Sequence, residues 1–268
     1  MPNSCRAFAT ATTKDLFESR GQSMDERISL SRWCPPWVKH QHVARYRWAC
    51  GFARNAVVLD AACGTGYGSK MLKTDGCAAS VQGVDLSEDA IREASALPPM
   101  EGVTWSRGDV TRLELPDDSF DLYVSFETVE HLPDDDAYVA EAARVLKPDG
   151  RFLCSTPNRR LFHPGASLET KPQNPFHTRE YLREDFQALL SRHFGCIEWY
   201  GQTRFSGWYT SGLSQAGRYS RVLGFRTHQA TKLATLSLAG ESTHAVHPLP
   251  ESGTAEVLIA CCSLPKTP

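Results

Sequence analysis

VVLDAACGTGYGS, residues 57–69, is the stretch that determines the fold of this chain. Its apolar run ends at Asp60 and is typical of a buried parallel strand, and the glycine-rich turn after it leads into a helical pattern. Glycines allow the backbone to approach a ligand closely and leave N–H groups pointing at it. The stretch therefore predicts a strand, a ligand-binding turn and a helix, in that order.

The end of this turn argues against two common phosphate-binding motifs. A dinucleotide motif, G-x-G-x-x-G, would need a third glycine where Ser69 stands, and a P-loop would need Gly-Lys-Ser/Thr where the chain has Ser69, Lys70 and Met71. A carboxylate directly before the turn, at Asp60, would repel a pyrophosphate but suits a ligand that carries an ammonium group. The turn therefore disfavours a nicotinamide oxidoreductase.

Strand and helix patterns alternate on both sides of the turn. The further predicted strands cover residues 80–86, 103–109, 120–127, 151–157, 196–202 and 255–262. The predicted helices that follow some of them include residues 135–146 and 178–194. This order predicts an α/β fold, a doubly wound sheet with helices on both faces, whose ligand lies beyond the carboxyl ends of the strands.

Two more acidic residues end predicted strands. Asp85 ends the second strand, where a carboxylate can accept hydrogen bonds from both ribose hydroxyls of an adenosine. Asp109 ends the third strand, where it can accept from the adenine amino group while Val110 offers backbone donors. Three acids around a glycine turn indicate a site for a nucleoside with an amino-acid tail.

Two regions lie outside the alternation and define the domain boundaries. Residues 1–55 are predicted to be an N-terminal helical extension or lid, with a helix over 37–53. Residues 56–268 are predicted to be the ligand-binding domain, with an insertion over 203–254 that is rich in Ser, Gly and Thr. The extension is expected either to close over the site or to form a homo-oligomer interface.

Composition excludes several classes of protein. Lys and Arg number 29 against 31 Asp and Glu, for a net charge of −2, so we expect no nucleic-acid partner. No stretch approaches the ~18–20 apolar residues that a membrane span needs, and the first residues lack the pattern of an export signal. The nine cysteines include no C-x-x-C pair, so we expect reduced thiols and a cytoplasmic location.

Several segments together resemble the class I S-adenosylmethionine-dependent methyltransferases, and most closely their bacterial small-molecule branch, which is common among natural-product and glycan enzymes. The matching segments are LDAACGTGYG (59–68), GVDLSEDAI (83–91), GDV (108–110), FDLYVSFETVEHL (120–132), RVLKPDGRFLCSTPN (144–158) and NPFHTREY (174–181). The resemblance implies a seven-stranded Rossmann-like sheet with the last strand antiparallel and inserted between the fifth and sixth. One departure is Ala62, which stands where the family usually has a glycine.

The resemblance also implies the cofactor and its binding residues. The cofactor would be S-adenosyl-L-methionine, with S-adenosyl-L-homocysteine as its product. Asp60, Ala62, Gly64 and Gly66 would hold the methionine part. Asp85 and Leu86 would hold the ribose, and Asp109 and Val110 would hold the adenine. Phe126 and Glu127 would lie at the sulfonium.

Methyl transfer needs a base only when the acceptor has a proton to lose. His131, in ETVEHL, and His177, in NPFH, are the candidate catalytic residues because both follow strands that end at the expected site. The acidic run Asp134, Asp135 and Asp136 opens a helix, where acids favour the helix dipole, so we expect no metal there or elsewhere.

The residues outside the core are notably aromatic, which predicts a largely apolar acceptor pocket. The candidate substrate-binding residues are His42, Tyr46, His163, Tyr200 and Phe205. We therefore expect O- or N-methylation of a small apolar or aromatic metabolite in secondary-metabolite biosynthesis. Two alternatives stay open: C-methylation of a prenyl or terpenoid olefin through a carbocation held by aromatic rings, and a protein that binds S-adenosylmethionine without catalysis.

Overall fold

A computed structural model describes residues 36–162, 171–172, 174–203 and 244–266 of the chain. Its centre is a single eight-stranded sheet. The strands are β1 (Val57–Ala61), β2 (Ser80–Asp85), β3 (Val103–Arg107), β4 (Phe120–Phe126), β5 (Leu146–Pro157), β6 (Phe194–Gln202), β7 (His247–Pro248) and β8 (Val257–Pro265). The predicted strands therefore all form, with shifts of a few residues at their ends.

Helices connect most of these strands. They are α1 (Pro36–Ala49), α2 (Tyr67–Thr74), α3 (Glu88–Ser95), α4 (Asp135–Val145), α5 (Arg159–Phe162) and α6 (Arg183–His193), together with the 3₁₀ turns Cys50–Phe52 and Val129–His131. Ser87 caps α3 because its side chain accepts a hydrogen bond from the amide of Ala90. The N-terminal helix predicted over 37–53 is thus an α-helix that ends in a 3₁₀ turn.

The strand order is β3-β2-β1-β4-β5-β8-β6-β7. The first five strands in this order are parallel, whereas β8 runs antiparallel to both of its neighbours. The predicted α/β sheet with an antiparallel last strand between the fifth and sixth is therefore confirmed. The described residues form eight strands rather than seven, because His247 and Pro248, in the predicted insertion, pair with the edge of β6.

Alternate residues of the strands pack into two apolar clusters, one on each face of the sheet. On β1, Leu59 belongs to the cluster that includes α4 and α6, and Val58 belongs to the cluster that includes α1 and α2. Side chains on a strand point to opposite faces in turn, so buried strands of this kind must be apolar on both faces. The two clusters hold the carboxyl ends of β1, β2 and β4 in fixed positions.

Some predictions fall on residues that the structure does not describe. These are His163, Phe205 and most of the insertion at 203–254, namely residues 204–243, so they lie outside the described residues. The division into an extension and a core domain accordingly stays a prediction. Among the described helices, none is long and apolar enough to cross a membrane.

Leu153→Ala should lower the free energy of unfolding by about 2–5 kcal/mol, because it removes a fully buried side chain from β5 and leaves a cavity. The matched control is Leu264→Ala on β8, where 61% of the side chain is exposed; we expect a change below about 0.5 kcal/mol there. Urea unfolding measures both values. Equal losses in the two variants would contradict the packing described above.

Candidate functional site

The candidate site lies at the carboxyl ends of the central strands. The strand order reverses between β1 and β4, because the crossover from β1 leads to β2 on one side while β4 lies on the other. Such a switch point leaves a crevice beyond the strand ends, where ligands bind in doubly wound sheets. The glycine turn after β1 and the segment after β4 face this crevice together.

The turn after β1 has a backbone that few side chains allow. Ala62, Gly64 and Gly66 all have positive φ angles, of 56°, 55° and 76°. A Cβ at Gly66 would lie 2.8 Å from the indole nitrogen of Trp105, so this position requires glycine. At Gly64, by contrast, no described atom lies within 4 Å of where a Cβ would stand, so the turn presents open backbone there.

Asp85 connects this turn to the end of β2. One carboxylate oxygen accepts the amide of Gly64 at 2.9 Å, and the other accepts the amide of Ser87 at 2.8 Å. Each oxygen can accept a further hydrogen bond, so these contacts leave capacity for a ligand hydroxyl. Leu86, the next residue, is 59% exposed and offers an apolar surface beside that carboxylate.

Asp109 lies at the end of the next strand, where it is exposed. One of its oxygens accepts from both the amide and the hydroxyl of Thr111, at 2.9 and 2.7 Å. Val110 is buried beside it. The structure thus places Asp85 and Asp109 at the ends of adjacent strands, as the sequence predicts, while their contacts with adenosine stay predictions.

Asp60 is fully buried at the end of β1. Its two oxygens accept hydrogen bonds from the hydroxyls of Tyr46, at 2.8 Å, and Ser69, at 2.6 Å. Gly68 makes the first contact possible, because a Cβ at this position would overlap the Tyr46 ring. The predicted acid before the turn therefore lies beneath it, held by one residue from α1 and one from α2.

Burial sets the protonation of this acid. Loss of hydration raises the pKa of Asp60 to about 6, although the hydrogen bonds from Ser69 and Tyr46 oppose the rise. The same burial, together with the charge of Asp60, raises the pKa of Tyr46 well above its ordinary value, so this phenol stays protonated near neutral pH. A ligand ammonium near the turn would favour the carboxylate form of Asp60.

The end of β4 carries the residues predicted to lie near a sulfonium. Phe126 is buried, and its ring meets the ring of Tyr46 edge-on at 5.3 Å. Glu127 has a φ of 54°, which is unusual for a residue with a side chain. Two hydrogen bonds hold it: its amide donates to the Ser155 hydroxyl, and its carboxylate accepts from the same hydroxyl. A strained residue at a switch point is typical of a binding site.

The two candidate catalytic histidines, distant in sequence, lie together in the structure. The rings of His131 and His177 meet edge-on with their centroids 5.0 Å apart. Nδ1 of His131 is 3.1 Å from the carbonyl oxygen of Phe176, and Nδ1 of His177 is 3.2 Å from a carboxylate oxygen of Glu180. The loop before α6 therefore brings its histidine to the 3₁₀ turn that follows β4.

Two acids beside these histidines were not predicted from the sequence as functional residues. Glu130 is 1% exposed and accepts a hydrogen bond from the hydroxyl of Thr156 at 3.1 Å. Burial and the neighbouring charge of Glu127 raise the pKa of Glu130 well above its ordinary value. Glu180 is also buried. The available signal for Glu130 was the spacing in ETVEH, which places Glu127, Glu130 and His131 close together in the chain.

The backbone of Glu130 fixes this cluster. Its carbonyl oxygen accepts the amide of Thr178 at 2.7 Å, the hydroxyl of Thr178 at 3.0 Å and the amide of Arg179 at 3.3 Å. Three hydrogen bonds on one carbonyl tie the turn after β4 to the loop before α6. The relative position of the two histidines therefore does not depend on their own side chains alone.

The candidate acceptor residues are less completely described. His42 and Tyr46 lie on α1, where burial and the charge of Arg45 lower the pKa of His42 well below its ordinary value. The hydroxyl of Tyr200 donates to Glu198 at 3.0 Å, and its ring packs on Trp48 at 4.8 Å. The hydroxyl of Tyr46 donates to Asp60, so this hydroxyl is already engaged, and the contacts of all three residues with an acceptor stay predictions.

The acidic run that opens α4 serves the helix and its neighbours. Asp134 caps the helix by accepting the amide of Ala137 at 3.0 Å. The other two acids, Asp135 and Asp136, form ion pairs with Arg179 and with Arg192 and His193. These contacts agree with the structural role expected for the run.

The central part of the chain is similar to known proteins. Residues 59–154 match the family model described as a methyltransferase domain. A probable S-adenosylmethionine-dependent methyltransferase of Mycolicibacterium smegmatis is 39% identical over 154 residues, which cover 58% of this chain and 57% of the relative. A fatty-acid O-methyltransferase of the same organism is 34% identical over 96 residues, which cover 36% of this chain and 35% of the relative.

The fold comparison agrees. A structure from Thermotoga maritima, described as a SAM-dependent methyltransferase and possible histamine N-methyltransferase, superposes with a TM-score of 0.58, covering 85% of this chain and 93% of that one at 16% identity. The chain spans only about half the length of the curated relatives it matches. The matched relatives are described as S-adenosylmethionine-dependent methyltransferases, which supports S-adenosylmethionine as the cofactor, and the solved structure shares the fold.

The residues of the crevice fit this cofactor. The open backbone at Gly64, the carboxylate of Asp85 and the exposed side chain of Leu86 offer amide donors, hydroxyl acceptors and an apolar surface. A nucleoside that carries an ammonium and no phosphate needs all three kinds of contact. The acids at 60, 85 and 109 would disfavour a phosphate in the same place.

Affinity for S-adenosylmethionine should rise about tenfold between pH 5 and pH 7, because Asp60, with a pKa near 6, must become a carboxylate to favour the ammonium. Protons should be released on binding near pH 6. Calorimetry in two buffers of different ionisation enthalpy measures both effects. Asp60→Asn should remove the pH dependence between these limits, and a variant that retains it would contradict the role of Asp60.

Proposed function

We propose that this protein transfers a methyl group from S-adenosylmethionine to a small, mainly apolar or aromatic metabolite. The observation that carries the proposal is the shared crevice: the glycine turn, Asp85 and the turn that bears His131 all lie at the carboxyl ends of adjacent strands. A binding protein without catalysis has no need of paired histidines beside the position expected for the methyl group. The family match over residues 59–154 supports the same reaction class.

The binding residues keep the roles predicted for them. Asp60, Ala62, Gly64 and Gly66 would hold the methionine part, Asp85 and Leu86 the ribose, and Asp109 and Val110 the adenine. When bound, the cofactor supplies an activated methyl group on a sulfonium. Phe126 and Glu127 would line the sulfonium end, where a buried aromatic ring excludes water and favours a cation.

The protein's contribution to the reaction is mainly alignment. Displacement at a methyl carbon needs the acceptor atom and the sulfur on opposite sides of that carbon, which a rigid crevice provides. An acceptor hydroxyl must also lose a proton, and the His131–His177 pair is the candidate group that assists this loss. His42, Tyr46, His163, Tyr200 and Phe205 are proposed to line the acceptor side.

An apolar acceptor is favoured by the aromatic side chains beside the crevice. On the face covered by α1, the rings of Tyr46 and Phe126 meet edge-on, and the rings of Trp48 and Tyr200 pack at a tilt. One relative that resembles the chain is named as a fatty-acid O-methyltransferase, which acts on an apolar acceptor at oxygen. We propose secondary-metabolite biosynthesis in the cytoplasm as the setting and retain the N-terminal helix as a possible homo-oligomer interface.

The reaction class can be tested with S-adenosylmethionine labelled in its methyl group. Incubation with extracts of apolar metabolites should move label into a small organic product, because the crevice aligns donor and acceptor. Heating that product in hydriodic acid releases methyl iodide from methyl groups on oxygen or nitrogen but not from methyl groups on carbon, which the olefin alternative would give. Tight cofactor binding with no labelled product would contradict the proposal and favour the non-catalytic alternative.

Asp85→Ala should weaken S-adenosylmethionine binding about 10-fold to 100-fold, because it removes the acceptor for the ribose hydroxyls and the bond that positions Gly64. The matched control is Asp89→Ala on α3, an exposed acid that pairs with Arg92. Calorimetry measures both affinities, and thermal melting checks that each variant is folded. The assignment of Asp85 fails if the two variants bind equally well.

A further inference from the structure

Three side chains at the methyl end of the crevice have the composition of a metal site. One ligand atom each from Glu130, His131 and His177 lies within 4.8 Å of the other two. Metal–ligand bonds of about 2.1 Å place neighbouring ligand atoms about 3 Å apart, so these atoms would have to approach one another by at most about 2 Å to share an ion. Two imidazoles and one carboxylate are typical ligands of first-row divalent metals.

The hydrogen bonds of both histidines orient them for this role. The carbonyl oxygen of Phe176 can only accept, so Nδ1 of His131 is the donor in this contact. The carboxylate of Glu180 has the same effect on His177. Histidines that bind metals in proteins usually donate their other ring nitrogen to a carbonyl or a carboxylate in this way.

The carboxylate of the set lacks a cation of its own. Within the described part of the chain, Glu130 forms no ion pair, and its recorded side-chain partner is the neutral hydroxyl of Thr156. Glu127 adds a second negative charge nearby, while the positive charge of Arg45 has a weaker influence on Glu130. A buried carboxylate is costly unless a cation or several donors compensate for it.

We propose that Glu130, His131 and His177 bind a divalent transition-metal ion such as Mn²⁺ at the methyl end of the crevice. This metal site is separate from the acidic run at 134–136. The carboxylates of that run cap α4 or form ion pairs with arginines. The proposed metal site also departs from the expectation, drawn from the sequence, that the chain holds no metal. Glu180 is a positioning residue in this site, because it acts through His177.

The position of the ion limits which acceptors the protein would methylate. This inference about the acceptor rests on the proposed function. Three protein ligands leave open positions, and a hydroxyl of the acceptor that takes one would lose its proton more easily. The transfer then forms a C–O bond, breaks the C–S bond with its electron pair left on sulfur, and releases the hydroxyl proton to solvent. O-methylation of a hydroxylated acceptor is therefore favoured over N-methylation.

Mn²⁺ binding can be measured directly by electron paramagnetic resonance, because the free ion gives a sharp signal that binding broadens. The test uses the full chain without an affinity tag, so that no added histidines contribute. We expect saturable binding of a single ion per chain. His131→Ala and His177→Ala should each raise the Kd more than about tenfold, and Glu180→Gln should raise it about 10-fold to 100-fold.

Two control variants separate this site from other ligands on the surface. His193→Ala removes a histidine that pairs with Asp136, and Asp134→Ser keeps the cap of α4 while it removes a carboxylate of the acidic run. Neither should change the Kd for Mn²⁺. Since Mn²⁺ prefers oxygen and imidazole ligands to thiolates, the cysteines of the chain do not compete.

Absence of saturable binding, or an unchanged Kd in both histidine variants, would overturn the proposal. Affinity for S-adenosylmethionine, measured by calorimetry with EDTA present, reports separately on the proposed function. Cofactor binding and labelled product without Mn²⁺ binding would leave the function standing and reject the metal site. Mn²⁺ binding with no affinity for the cofactor would support the metal site and reject the proposed function.

Discussion

The hydrogen bonds of Asp85 are the interaction on which the crevice depends. Its carboxylate accepts a hydrogen bond from an amide of the turn after β1 and another from an amide at the N-terminus of α3. These bonds join the loop after β1 to the loop after β2, which the parallel pairing of the two strands would not do by itself. The turn needs this support because three of its residues have positive φ angles. The residue proposed to bind ribose therefore also shapes the backbone proposed to bind the methionine part.

Two fully buried acids lie at different parts of the same crevice, and the protein treats them differently. Asp60 has two hydroxyl donors, from Tyr46 and Ser69, which offset part of the cost of burying its charge. Glu130 has one hydroxyl donor and a negatively charged neighbour. A cation is proposed near each acid, and the two cations differ. An organic ammonium is proposed above Asp60, and a metal ion is proposed beside Glu130.

The sequence predicts local features of this fold well and long-range ones poorly. Apolar periodicity and the glycine turn locate β1, α2 and the ends of the central strands, because these depend on neighbouring residues. The two-residue strand β7 has no such pattern, since it forms only by pairing with Tyr200 and Gly201. The sequence selects His131 and His177 separately, but their 5.0 Å separation depends on three hydrogen bonds to the carbonyl of Glu130. The roles of Glu130 and Glu180 depend on that same contact between distant segments.

The insertion of β8 into the middle of the sheet has a consequence for synthesis of the chain on the ribosome. Leu153 on β5 pairs with Cys261 on β8, so the apolar edge of β5 has no partner while the intervening residues are being translated. Unpaired strand edges attract other chains. The nascent polypeptide thus has a long interval in which it depends on molecular chaperones or on slow translation, and mutations that weaken β8 would appear first as low yield in the cell.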